Sequence, residues 1–208
     1  LTNLPRVKDI ETMILLLKSL GSVIDDNKKK LIIKNTKQTK TFAAYSLVKT
    51  MRAGILVLGP LLAKFGKAKV SLPGGCAIGT RPVDIHLQAL SKLGVKYKII
   101  QGYVHAAAPK GLIGANIKFP KVSVGATENL IIAACLAKGK TTLSNCAIEP
   151  EIKDLVNFLR RTPAFTAEDA ANNQTSYADI QGVVLDATDG SEDGRLRITT
   201  VIAGGNRN

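Results

Sequence analysis

Three segments of this 208-residue chain open alike. Pro5-Arg6-Val7-Lys8-Asp9-Ile10 aligns without a gap on Pro150-Glu151-Ile152-Lys153-Asp154-Leu155, and Pro82-Val83-Asp84-Ile85 is a looser copy. The three aspartates stand 75 and 70 residues apart. The copies at Pro5 and Pro82 each run into an apolar helical pattern that stops at Leu20-Gly21 and Leu93-Gly94. A glycine just past the last periodic leucine is a helix C-cap signal, because it accepts a positive φ. The third copy is cut short: Asn157-Phe158-Leu159 runs into Arg160-Arg161-Thr162-Pro163, and Pro163 cannot continue a helix. A period near 70 is too long for the usual solenoids and fits an α/β unit used several times.

Each unit reads as a helix followed by paired strands. Residues 22–25 and 30–33 form a predicted hairpin around Asp26-Asn27, and residues 95–100 and 103–106 repeat it around Gln101-Gly102. Helical patterns over 46–65 and 127–137 lie between. Beyond residue 160 the chain changes character. Residues 1–159 carry 21 Lys, 3 Arg and 9 acids, whereas residues 160–208 carry no Lys, 5 Arg and 7 acids. The tail has two β-patterned runs, 177–187 and 195–203, around a polar Gly/Asp turn. Residues 186–194 resemble pieces of phage tail-fibre proteins. An isolated hairpin is marginal in water, so a domain at 1–159 and an unrelated, poorly packed β-hairpin tail at 160–208 are expected.

Composition narrows the function. No apolar stretch is long enough to span a bilayer, and no secretory signal opens the chain. The chain starts at Leu1 rather than a methionine, so the true N-terminus is expected to be missing. Three widely spaced cysteines, Cys76, Cys135 and Cys146, fit a reducing cytoplasm better than a disulfide scaffold. Two histidines, His86 and His105, argue against a multi-histidine metal site. A net charge of +13 suits a nucleic acid, an anionic membrane or a phosphorylated small substrate. With 4% aromatics and no Trp, base-stacking platforms are scarce. Ala134-Cys135-Leu136-Ala137-Lys138-Gly139-Lys140-Thr141 imitates a P-loop. A P-loop needs a strand before and a helix after, and here that order is reversed.

Three places could carry chemistry. Pro73-Gly74-Gly75-Cys76-Ala77-Ile78-Gly79-Thr80-Arg81-Pro82 is a loop by its glycines and prolines. It holds a thiol five residues from an arginine that could lower its pKa from about 8.5; the plainer reading is a turn with a chance cysteine. Arg52 and Arg81 stand out in a domain that otherwise uses lysine, and a guanidinium fork suits phosphate and carboxylate. Lys121-Val122-Ser123-Val124-Gly125-Ala126-Thr127 precedes a helix, where backbone N–H groups can meet an anion.

Taken with Leu47-Val48-Lys49-Thr50-Met51-Arg52-Ala53 and the 71–86 segment ending Arg81-Pro82-Val83-Asp84-Ile85-His86, these motifs closely resemble the UDP-N-acetylglucosamine 1-carboxyvinyltransferase family of enolpyruvyl transferases, from about residue 2 to 159. The resemblance implies an α/β fold: part of an inside-out α/β barrel built of repeated βαβαββ units, here with a short β-rich tail. It implies transfer of enolpyruvyl from phosphoenolpyruvate to the 3′-hydroxyl of UDP-N-acetylglucosamine, with no cofactor and no metal. Cys76 matches the loop cysteine that acts as general acid and is alkylated by fosfomycin. Arg52 and Arg81 match phosphoenolpyruvate-binding residues. Pro82, Val83, Asp84 and His86 fall where the family contacts uridine, and Lys121, Ser123, Val124 and Gly125 where it contacts uracil and diphosphate.

The departures are as informative. The family's N-terminal Lys-Asn pair would lie upstream of Leu1. The second domain, which supplies an aspartate base and a further arginine, has no counterpart in the tail. The expected reading is an inactive enzyme fragment joined to foreign sequence. The rivals are a basic nucleic-acid-binding module, which needs its lysines clustered on one face, and a phage structural protein fragment.

Overall fold

The computed structural model describes residues 1–27, 30–34, 40–74, 83–161, 166–168, 174–176, 178–184 and 194–200, with side chains described up to residue 161. The first repeat contributes α1 (Lys8–Ser19) and an antiparallel hairpin, β1 (Val23–Asn27) with β2 (Lys30–Lys34). The helix ends as its sequence demands: Gly21 takes φ 101°, and the N–H of Ser22 bonds the Leu17 carbonyl at 3.0 Å. The strands pair as far as Asn27 and Lys30, past the Asp26-Asn27 turn expected, and positions 28–29 lie outside the described residues. Asp26 stays in the strand, where its carboxylate takes both Nη groups of Arg6, at 2.8 and 3.1 Å.

The second repeat runs β3 (Phe42–Ala43), α2 (Tyr45–Val48), a 3₁₀ turn (Arg52–Val57), α3 (Leu58–Phe65), β4 (Lys67–Ser71), α4 (Asp84–Lys92), β5 (Lys96–Ile100) and β6 (Tyr103–Ala107). The helix expected over 46–65 is three pieces. Thr50 donates its hydroxyl to the Leu47 carbonyl at 3.1 Å, a local bond that competes with the helix. Met51 is extended, at φ −134° and ψ 126°. The third repeat runs β7 (Asn116–Lys118), α5 (Val124–Ala134), β8 (Gly139–Ser144) and α6 (Pro150–Arg160). Then come a small hairpin, β9 (Thr166–Glu168) with β10 (Gln174–Ser176), and a longer one, β11 (Ala178–Val184) with β12 (Gly194–Thr200). The order helix α5, then strand β8, confirms that residues 134–141 are no P-loop.

Two four-stranded sheets share one topology, β3-β4-β6-β5 and β7-β8-β12-β11. In each, the first two strands are parallel and the hairpin strand runs antiparallel beside the second. The fold is α/β and inside-out, because the helices rather than the sheets form the centre. On α5 the residues Ala126, Thr127, Asn129, Leu130, Ile131, Ala133 and Ala134 are all buried. A helix buried around most of its girth must be enclosed by other elements, and α3, α4, α6 and the 3₁₀ turn pack on it. Each enclosed aliphatic such as Leu130 contributes about 1.5–3 kcal/mol. The outer sheet faces stay open, and all five residues of β5 are exposed.

The tail, expected as a poorly packed β-hairpin at 160–208, adds a strand to the second sheet. β12 pairs with β8 from Gly139↔Thr200 to Ser144↔Arg195, the position that β6 takes on β4. An unpaired strand edge attracts a partner, and without β12 the strand β8 would have β7 on one side only. Truncation after Arg161 is expected to bare that edge. Size-exclusion chromatography should then show self-association and thermal unfolding a lower Tm; an unchanged monomer of equal Tm would mean that the hairpin adds nothing.

Candidate functional site

Helix starts define the one large cleft among the described residues that gathers expected site residues. It has a volume of about 610 Å³ and is lined by Arg52, Pro73, Val83, His86, the loop Lys121–Gly125, Glu128 and Glu151, among others. Arg52 opens the 3₁₀ turn and is exposed. Ser123 is the N-cap of α5: its Oγ accepts the Ala126 N–H at 3.3 Å and its carbonyl the Thr127 N–H at 2.9 Å. A helix leaves its first N–H groups without intrahelical partners, and here those belong to Val124 and Gly125, both on the cleft wall. The helix therefore starts three residues earlier than its apolar pattern suggests, since Ser123 rather than Thr127 ends the loop.

Of the expected site residues, Arg52, Val83, His86, Lys121, Ser123, Val124 and Gly125 meet in this cleft. Asp84 does not line it; it is exposed in the first turn of α4. Cys76, Arg81 and Pro82 lie outside the described residues, but both ends of their loop, Pro73 and Val83, are on the cleft wall. No metal-type cluster of His, Cys, Asp or Glu occurs among the described residues, and no described helix is long and apolar enough to cross a membrane.

The cleft has a polar floor that the motifs did not reveal. Asn129, fully buried on α5, accepts the Gly59 N–H at 2.8 Å and donates to the Ile55 carbonyl at 3.3 Å. It thereby serves the start of α3, whose N-cap residue is Val57 and offers no side-chain acceptor. A Cβ on Gly59 would meet the Asn129 amide oxygen and lie 2.6 Å from its carbonyl oxygen, so the two helices require glycine here. The Asn129 amide nitrogen also sits 3.1 Å from Nδ1 of His86. The signal was in the sequence: one amide inside the apolar run Leu130-Ile131-Ile132-Ala133-Ala134, where a buried polar group must find partners.

Burial lowers the His86 pKa to about 4, against the opposing pull of Asp84, so the ring is neutral at neutral pH. Glu128 was also missed. Its pKa is raised by partial burial and by the nearby Glu151 carboxylate. The sign for His86 follows from proton counting. The unfolded imidazole binds a proton below about 6.5 and the folded one only near 4, so this residue makes stability fall as pH drops through that window. Thermal unfolding of the wild type and of His86→Phe between those pH values should show the loss reduced in the variant.

The other two thiols are shielded. Cys135 is buried, donates to the Ile131 carbonyl at 3.1 Å and has its pKa pushed up by burial to about 12. Cys146 is buried as well. Limited alkylation read by mass spectrometry should label Cys76 first, and faster labelling at Cys135 or Cys146 would count against an accessible loop thiol.

Comparison with known proteins places the chain in a family. A family model described as EPSP synthase (3-phosphoshikimate 1-carboxyvinyltransferase) matches residues 1–187. The UDP-N-acetylglucosamine 1-carboxyvinyltransferase of Pelagibacter ubique (strain HTCC1062) is 97% identical over 159 residues, 76% of this chain and 38% of that protein. That of Sulfurovum sp. (strain NBC37-1) is 55% identical over 185 residues, 89% of this chain and 44% of that protein. Among solved structures, the enolpyruvyl transferase NikO from Streptomyces tendae superposes with a TM-score of 0.69 at 18% identity, over 94% of this chain and 41% of that one. The chain thus spans about two-fifths of the length of the relatives it matches.

Proposed function

The chain belongs to the EPSP synthase (3-phosphoshikimate 1-carboxyvinyltransferase) family, and from that premise we propose that it is part of a bacterial, cytoplasmic UDP-N-acetylglucosamine 1-carboxyvinyltransferase. The reaction is the transfer of enolpyruvyl from phosphoenolpyruvate to the sugar 3′-hydroxyl, which releases phosphate. It feeds peptidoglycan synthesis. The observation that carries the reading is the convergence of Arg52, His86 and the 121–125 helix start on one cleft between the two ends of the cysteine loop. Both substrates are anions, and bringing them together favours fixed cations and oriented N–H groups.

In this reading Cys76 delivers a proton to the enolpyruvyl methylene carbon as the 3′-oxygen bonds to its neighbour. Arg52 and Arg81 hold phosphoenolpyruvate. Pro82, Val83, Asp84 and His86 attend the uridine, and Lys121, Ser123, Val124 and Gly125 the uracil and diphosphate. The base belongs to the second domain of the same enzyme. Residues 160–208 are of separate origin; their lysine-free composition supports this.

A second reading has an observation of its own. Lys67, Lys69, Lys96 and Lys98 are exposed on the outer face of β3-β4-β6-β5, where Lys69 and Lys98 both stand opposite His105. The Lys69 Nζ lies 5.4 Å from the Phe42 ring and 5.0 Å from the Tyr103 ring. Between residues 27 and 127 the sequence holds one acid, Asp84. This is the one-faced lysine cluster that a nucleic-acid-binding module requires.

NMR titration separates the two readings. The chain alone is expected to release no phosphate from the two substrates, because acid–base groups contribute roughly 10²–10⁴-fold each and the base is elsewhere. UDP-N-acetylglucosamine should still shift the Ser123 and Gly125 signals, and short DNA at equal charge concentration should not compete. Tight DNA binding with a steep salt slope and no nucleotide-sugar shift at these residues would favour the basic module.

A further inference from the structure

The buried amide of Asn129 has its orientation decided from two sides. A backbone N–H, that of Gly59, can only donate, so the atom 2.8 Å away is the amide oxygen. A backbone carbonyl, that of Ile55, can only accept, so the atom 3.3 Å away is the amide nitrogen. The same NH₂ group lies 3.1 Å from Nδ1 of His86. An NH₂ group only donates, so Nδ1 must be the acceptor nitrogen, and the proton of the neutral ring sits on Nε2.

The edge carrying Nε2 and Cε1 faces Gly125: a Cβ on that glycine would lie 3.7 Å and 3.5 Å from these atoms. Gly125 and His86 both line the cleft. Nε2 has no protein hydrogen-bond partner among the described residues, and His86 as a whole retains 7% exposure. We propose that Asn129 is a positioning residue of the cleft: it fixes His86 as a neutral ring whose Nε2–H is a permanent donor to an acceptor oxygen of the nucleotide. This rests on the nucleotide-sugar reading of the site.

The arrangement selects a donor without a charge. Arg52 on the 3₁₀ turn and Lys121 on the loop supply positive charge at the same cleft, while Glu128 on α5, Glu151 on α6 and Asp84 on α4 supply negative charge nearby. A histidine free to titrate among them would change its hydrogen-bonding capacity over the physiological range. With a donor bonded to Nδ1, protonation at that nitrogen costs the Asn129 bond as well as the burial of a charge. The ring therefore donates from Nε2 alone at any pH where the fold is intact and the ring neutral.

The test uses the full chain labelled with ¹⁵N, with the His105 signals assigned by His105→Gln. Long-range ¹H–¹⁵N spectra should show His86 in the Nε2–H form, without titration between about pH 5 and 8. In Asn129→Asp a carboxylate replaces the donor, so the proton should move to Nδ1 and the ring should titrate at higher pH; a merely structural role would not move that signature. UDP-N-acetylglucosamine should shift the His86 Nε2–H in the wild type, and His86→Phe should weaken binding by about two- to tenfold, the worth of one hydrogen bond. A shift with uridine alone would put the acceptor oxygen on the nucleoside, and a shift that appears only with UDP or the nucleotide sugar would put it on the diphosphate or the sugar. A wild-type Nδ1–H ring, or one titrating near its ordinary value, overturns the proposal even if Asn129→Asp fails to fold. So does movement of Ser123 and Gly125 on binding while the His86 Nε2–H stays still. If the tautomer is as expected but the nucleotide sugar moves none of these residues, it is the nucleotide-sugar reading, and with it the proposed donor role, that falls.

Discussion

The burial of α5 is the constraint on which the rest of the molecule depends. Its small and aliphatic residues let α3, α4, α6 and the 3₁₀ turn pack close around it. A helix enclosed in this way cannot use water to satisfy polar groups that face inward. Asn129 meets that constraint by spending both ends of its amide on backbone groups of the 3₁₀ turn and α3, and its remaining proton on His86. Losing one such partner leaves a buried polar group unsatisfied, at a cost of about 1–3 kcal/mol. Removal of Asn129 would therefore loosen the helix core and the cleft floor together.

With helices at the centre, helix ends rather than sheet edges become the places where a ligand can be held. The start of α5 delivers Ser123, Val124 and Gly125 to the cleft, the start of α4 delivers His86, and the 3₁₀ turn delivers Arg52. Repetition explains why these starts lie near one another. Each βαβαββ unit turns its helices inward and its hairpin outward, so successive units bring their helix N-termini to the same side of the core. The hairpin β11–β12 satisfies the same rule in the third unit, because the open edge of β8 accepts any strand of suitable length and alternation.

Much of this was legible from spacing. The Leu-Gly stops at Gly21 and Gly94 are helix ends with positive φ, 101° and 92°. The Gln101-Gly102 pair joins two strands where expected. Less legible were features decided by contacts far apart in sequence. The break of the 46–65 helix depends on a hydroxyl bond at Thr50 and an extended Met51. The role of Asn129 depends on Gly59, 70 residues away. Pairing of β12 with β8 depends on a free edge, which no local pattern in 195–203 can announce. Residues that line the cleft were legible where a loop or helix start is marked by glycine and serine; the buried amide was not, because a lone amide in an apolar helix has no local signature of its partners.

Net charge was the least specific of the sequence signals, and the structure indicates why. The four lysines of β4 and β5 stand on an outer sheet face, remote in topology from the helix starts that line the cleft. Exposed lysines are strongly hydrated and screened within about 8–10 Å at physiological salt, so they contribute little to the field inside the cleft. What lines the cleft among the described residues is local: the Arg52 guanidinium, the Lys121 ammonium, the helix-start N–H groups of Val124 and Gly125 and the neutral His86 ring, set against Glu128 and Glu151. An anion in such a place would depend on the direction of a few donors more than on the total of +13. His86 is the extreme case: burial holds a residue able to carry charge neutral, so that its geometry, not its charge, is what the cleft presents.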